Sequence, residues 1–289
     1  MGDLAALRDE LAQNAHFLAN ANIPSTLTWK KIGSDNVLVS TEAAAEYDNA
    51  VQPTTDNEET PTEVPELDPA LLSMVAKVAT SDFWLTPCGH WKGPTSFTPT
   101  FADLKLNCRL VAHEDSVFKG DFKKVLDNVS ALMAKAATSG HSRQGIFDPK
   151  EQPKTSLKVR HVVFAEKGPG DDDDGYDLRD WPVKSPAARE ALVAMEDTHR
   201  IYALPAYDIN GNLIPPSQYG TLMGAVVRAT ISLSHWNIAR EARDSYVADI
   251  VSLRVLVPTA PIASTSSPRK RKAVETTDPG ASPMKKARN

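Results

Sequence analysis

Four stretches of alternating residues set cations and aromatic rings on common faces. Arg228 and Trp236 share parity in one stretch, Tyr246 and Arg254 in a second, Lys158, Arg160 and Phe164 in a third, and Lys105 and Arg109 in a fourth. Cations neutralise phosphates and rings stack on bases, which is how single-strand nucleic-acid surfaces are built. Outward strand faces are polar in most proteins, and edge cations discourage aggregation. The interleaved aromatics keep the binding explanation open beside that plainer one. Lys158, Arg160, Arg228, Trp236, Tyr246 and Arg254 are therefore the candidate contacts to single-stranded DNA or RNA.

A second pattern lies near the C-terminus. Arg269-Lys270-Arg271-Lys272 form one basic cluster, and Lys285, Lys286 and Arg288 form another. The spacer between them contains Pro, Gly, Thr and Ser, so it is expected to stay extended. The arrangement resembles a bipartite nuclear localisation signal, in which two cationic clusters dock two acidic grooves of a nuclear import receptor. The implied partner is that receptor, and the implied location is the nucleus. Ser267-Pro268 and Ser282-Pro283 flank the clusters, where phosphate would oppose their charge.

Other chemistries find less support. Cys88, His90, Cys108 and His113 are the ligand types of a structural zinc. Their spacing matches no common pattern, and Cys108 falls on the apolar face of a strand, where a small buried hydrophobe is the ordinary explanation. The chain has no G-x-S-x-G, no P-loop, no G-x-G-x-x-G after a strand and no H-E-x-x-H. Four adjacent carboxylates, Asp171 to Asp174, read as a solvated loop, and His235 beside Trp236 reads as structural. The expectation is a binding protein without catalysis, metal or cofactor.

The elements that must position these residues follow from periodicity. Residues 3–20 read as a helix, Thr26 to Val39 as extended with a turn at Gly33–Asn36, and about 68–80 as a short helix carrying Leu71, Leu72, Met74, Val75 and Val78. The aromatic-dense run from Phe83 to Trp91 precedes a half-buried strand over 104–112. Residues 118–138 form the strongest helix, with Phe122, Val125, Leu126, Val129, Leu132 and Met133 on one side and Gly140 as its stop. Residues 139–155 read as a loop, 157–165 as a strand and 186–198 as a helix with Ser185 as cap and Pro186 in its first turn. Asn210-Gly211 marks a tight turn. Residues 224–238 and 246–257 form two long strands of a hairpin.

These elements give an α+β fold with two or three helices and a β-rich, antiparallel core. The final strands are apolar on both faces in part, which favours a closed or packed sheet. The organisation reads as an N-terminal helix and extended segment over 1–49, a disordered acidic linker over 50–67, a globular core over 68–258 and a disordered basic tail over 259–289.

The totals bound the function classes. The chain has 289 residues, 41% of them hydrophobic, and two cysteines, which fits a reducing compartment. No apolar run approaches the roughly 18 residues of a membrane span, and Met1-Gly2-Asp3-Leu4 does not open a secretory signal. The net charge of −5 combines a basic tail with an acidic remainder, so total charge lends no support to nucleic-acid binding by the body. A nuclear protein–protein adaptor is the alternative this balance favours.

Residues Leu204 to Pro216, with Tyr219, Leu222, Gly224 to Val227, His235 to Ile238 and Val255 to Pro258, resemble a group of uncharacterised proteins from mushroom-forming fungi. The same stretch, about residues 200–258, resembles the closing strands of OB-fold single-strand DNA-binding proteins. That resemblance implies an OB-like barrel. It assigns no individual residue a role.

Overall fold

The computed structural model describes residues 4–33, 35–51, 66–96, 98–114, 117–168 and 176–259. The basic tail, most of the acidic linker and the run Asp171 to Asp174 lie outside the described residues.

In chain order, helix α1 (Leu4–Gln13) and a single turn α2 (Ile23–Thr26) lead into strands β1 (Leu27–Ile32) and β2 (Asp35–Ser40) and helix α3 (Thr41–Val51). Strands β3 (Leu72–Val78) and β4 (Lys105–Val111) precede helix α4 (Lys119–Lys135). Then come β5 (Ser142–Gln144), β6 (Ser156–Val162), β7 (Phe164–Glu166), α5 (Pro186–Met195), β8 (His199–Ile201) and β9 (Ala206–Tyr207). The long strands β10 (Val226–Ile238) and β11 (Arg243–Val257) finish the fold.

Five strands close on themselves. β10 pairs β3, β3 pairs β4, β4 pairs β6 and β11 pairs β10, all antiparallel, while β6 meets β11 in parallel. The circuit β3-β4-β6-β11-β10 is the strand order of an OB-like barrel, a five-stranded Greek-key closure. β1 and β2 extend the sheet beyond β10, and β7 pairs β8 in a small second sheet. The α+β class with a β-rich core is therefore what the chain adopts.

Burial explains the closure. Along β10, β4 and β6 alternate residues are buried, so one face of each strand lines the barrel. α4 packs Phe122, Val125, Leu126, Val129, Leu132 and Met133 into the same core. The N-terminal segment joins it through Leu11, Phe17, Leu18, Ile23 and Leu27. Two polar clamps hold that segment to α4. Arg8 grips Asp121 with Nε and Nη2 at 2.5 and 2.9 Å, and Asn128 Nδ2 donates to the carbonyls of Leu18 and Asn20.

One element differs in kind from the sequence expectation. Residues 68–80 hold strand β3, not a helix. Five consecutive residues, Leu72 to Ala76, are buried on both faces, so their apolar run fits either period and only the pairing with β10 decides between them. α3 and β5 were not anticipated. β5 is three exposed residues held by main-chain pairing to β11. The chain leaves it through Gly145, at φ +112, where a Cβ would lie 1.9 Å from the Tyr246 carbonyl oxygen.

A buried carboxylate ties the segment just after α4 to the hairpin. Asp244 is fully buried and accepts from the Thr138 N–H (2.6 Å), the Thr138 hydroxyl (3.0 Å) and His235 Nε2 (3.1 Å). The Asn36 amide meets His235 Nδ1 at 3.1 Å. Burial alone would raise the Asp244 pKa, but its hydrogen bonds from Thr138 and His235 hold it below the ordinary value of 3.8. Asp121 is lowered likewise: burial opposes the shift and Arg8 drives it.

Replacing Asp244 by Ala orphans buried donors and is expected to cost about 1–3 kcal/mol in urea unfolding. Both carboxylates have depressed folded pKa values. The stability they lend is therefore complete above the ordinary aspartate value and is lost as pH falls through the folded values. A pH series of urea midpoints between 6 and about 2 is expected to decline steeply at the acid end. In Asp244→Ala that decline is shallower.

Candidate nucleic-acid interface

The outward face of the barrel is built from the residues that alternate with its core. On β6, Lys158, Arg160 and Val162 point out while Leu157, Val159 and His161 point in. On β4, Lys105, Asn107 and Arg109 point out around buried Leu106 and Cys108. On β10 the outer set runs from Arg228 to Trp236.

Register decides which side chains meet. Lys158 lies directly opposite Arg109, and Arg160 opposite Asn107. Arg160 is also opposite Asp249 across the parallel seam, where its Nε bonds Asp249 Oδ1 at 2.7 Å. From there its guanidinium reaches the Trp236 ring, 5.8 Å from the centroid. Trp236 Nε1 donates to Asp35 on β2 at 2.9 Å. Arg109 is held by Asp82 (3.1 Å), Asp148 (3.6 Å) and the Ser156 hydroxyl (2.9 Å). Among the described residues, no carboxylate pairs with Lys105 or Lys158. Partial desolvation against the sheet, together with the charges of Arg109 and Arg160, pushes the Lys158 ammonium below the ordinary lysine value.

Arg228 and Arg254 form a second group. They sit directly opposite one another on β10 and β11, at the open end of the hairpin, whereas Trp236 stands near its turn. The six candidate residues thus divide: Lys158, Arg160 and Trp236 come together, and Arg228 and Arg254 make a separate pair.

Tyr246 does not belong to the surface. Its ring is fully buried, its hydroxyl donates to the Met133 carbonyl at 2.8 Å, and it stacks on His235 at 4.6 Å. Burial raises its pKa to about 12. Tyr246 and Arg254 share parity in sequence, but the ladder of β10 and β11 shifts register between Thr230 and Ile231. On β11 the shift falls at Val251, an extra residue that turns the following side chains over. Phe164 also leaves its expected face. The strand breaks at Val163, and Phe164 enters an aromatic cluster with Phe101 (5.1 Å) and Trp181 (6.5 Å).

The sequence list omitted Trp84. Its N–H donates to the Asn107 carbonyl at 2.8 Å, so the β3–β4 connection runs beside β4 there. Phe83 and Leu85 are buried while Trp84 is 41% exposed. That alternation over three residues was the available signal.

Among the described residues no group of three or more His, Cys, Asp or Glu is placed to hold a metal ion. Cys108 is fully buried, which pushes its thiol up to about 12. A cleft of about 680 Å³ between β4 and α4 is lined by Lys77, Lys119, Lys123 and Lys154 over Phe122 and Leu126. Lys119 and Lys123 are paired there with Glu114 and Asp127. No helix among the described residues is long and apolar enough to cross a membrane.

Like charges directly opposite one another destabilise a sheet. In the absence of ligand, Arg254→Thr is expected to raise stability by about 0.2–1 kcal/mol in chemical denaturation, by relieving repulsion with Arg228.

No known family profile and no curated protein matches the chain. Among solved structures, the chain is similar to the single-stranded DNA-binding protein of bacteriophage Enc34 in complex with ssDNA, with 9% identity over 81% of this chain and 96% of that one and a TM-score of 0.36. It is also similar to gp2.5, a single-stranded DNA-binding protein encoded by bacteriophage T7, with 9% identity over 66% and 88% of the respective chains and a TM-score of 0.36.

Proposed function

We propose that the chain is a noncatalytic protein that binds single-stranded nucleic acid on the outer face of β4 and β6, next to Trp84 and Trp236. The observation that carries this reading is the cross-strand pair Lys158–Arg109 with Arg160 beside it. Three cations crowd neighbouring strands; carboxylates hold Arg109 and Arg160, Lys158 has none among the described residues, and a phosphate is a ligand that meets its charge. Trp84 and Trp236 supply the rings on which bases stack. In OB barrels generally the second and third strands form the binding face, and these are β4 and β6 here.

The charge balance agrees with this division. The described residues contain equal numbers of basic and acidic side chains, so the acidic excess read from the sequence lies outside them. The seven tail cations support a second proposal, that the protein is carried into the nucleus by an import receptor.

The test uses the full-length chain with Arg269, Lys270, Arg271, Lys272, Lys285, Lys286 and Arg288 changed to Gln, so that the tail contributes no affinity. Fluorescence anisotropy of a labelled oligothymidylate at two salt concentrations is expected to show saturable binding that weakens with salt. Trp84→Ala and Trp236→Ala are each expected to weaken it by about 1–3 kcal/mol, and Lys158→Glu to weaken it further. Absence of binding by the tail-neutral chain would overturn the reading and leave a protein–protein adaptor in its place.

A further inference from the structure

A cleft of about 450 Å³ opens in the β3–β4 connection, beside the start of β4. Its walls are Trp84, His90, Trp91 and Leu104, and Lys92, Thr95 and Thr98 stand at its margin. The aromatic lining is held from behind. Trp91 packs on Phe101 at 5.1 Å, and the Trp181 indole donates to the Pro87 carbonyl at 2.8 Å.

The turn that shapes this cleft is unusual. Gly89 and His90 both adopt left-handed backbone, at φ +47 and +56. Gly89 suits that conformation, and a Cβ there would strike Leu104 Cδ1 at 2.7 Å. His90 has no such excuse, since a side chain at positive φ is strained. Strain of this kind persists where surrounding structure enforces it, and it gathers at ligand sites. The left-handed turn sets the His90 ring edge-on to Trp84, with centroids 5.0 Å apart and planes at 82°. Two aromatic groups, both exposed, are thereby arranged at right angles around one opening.

We infer that this cleft is a nucleobase pocket that takes a single base of the bound strand and so fixes the register of that strand on the β4–β6 face. The inference rests on the proposed nucleic-acid reading and deepens it. The pocket adjoins Leu104, and Lys105 follows on the cationic face. A strand with one base in the cleft would run on toward the β4 face that Lys105 opens. The rings stack the base, and Lys92, Thr95 and Thr98 provide polar groups for its edge. Stacking on a ring such as Trp236 tolerates any base. Insertion into a bounded cleft makes one nucleotide count more than its neighbours.

An abasic scan tests this. A short oligothymidylate of the minimal length bound by the tail-neutral chain is prepared with one abasic site at each position in turn. A single position is expected to lose at least about tenfold in affinity, with smaller losses elsewhere. His90→Gly is the informative variant, because glycine accepts the left-handed turn without strain. It should fold at least as stably as the parent while flattening the scan. Tight binding of the intact oligonucleotide with a flat scan in the parent chain would overturn the pocket and leave the binding face standing. A position-dependent scan that His90→Gly leaves unchanged would also overturn it. No binding of the intact oligonucleotide would instead remove the functional reading beneath it.

Discussion

Everything in this fold depends on how β11 is shared. One of its edges is taken by β10 along the hairpin, and the other is divided among three parallel partners that each meet it only briefly. β5 meets it at Arg243–Ser245, β6 at Asp249 and β9 at Leu253–Arg254. Parallel contact with β6 rests on a single registered pair, so main-chain bonding alone closes the barrel thinly there. The Arg160–Asp249 ion pair lies on that seam. Closure and surface chemistry are thus joined in one contact, since the guanidinium that spans the seam also reaches Trp236.

On the proposed binding face, stability and binding pull in different directions. A sheet evolved for stability alone would place opposite charges or hydrogen-bonding pairs across its strands. Here Lys158 faces Arg109 and Arg228 faces Arg254, and only some of these charges are offset. Arg109 is gathered in by Asp82 and Asp148, while Lys158 keeps its charge at the cost of a depressed pKa. The buried His235–Asp244–Thr138 network supplies compensation elsewhere, fixing the segment just after α4 against the hairpin that carries Trp236.

Local pattern made much of this legible. The periodicity of α4, the alternation of β4, β6 and β10 and the charged turn of the final hairpin are properties of neighbouring residues, and the sequence carries them openly. What it concealed was non-local. β3 is apolar on both sides because it runs through the middle of a closed sheet, a context that no window of residues reveals. One extra residue at Val251 inverted the face assignment of Tyr246, and nothing about Val251 as a residue type announces a bulge. Trp84 was hidden by lying in a connection that only the tertiary fold lays alongside β4. Arg228 and Trp236 do lie on the same face of β10, yet their distance along the strand places them in different groups.

The carboxylates on this face have a consequence for counting contacts. A cation that is bare in the free protein sheds the strand's counterions when it meets a phosphate, and each such event steepens the dependence of affinity on salt. Arg160 and Arg109 are not bare. On the proposed reading, a phosphate that takes the place of Asp249, or of Asp82 and Asp148, exchanges one anion for another, and the carboxylates are returned to solvent. The slope of log affinity against log salt would then be shallower than the number of phosphates in contact, and a footprint deduced from salt titration would come out too short.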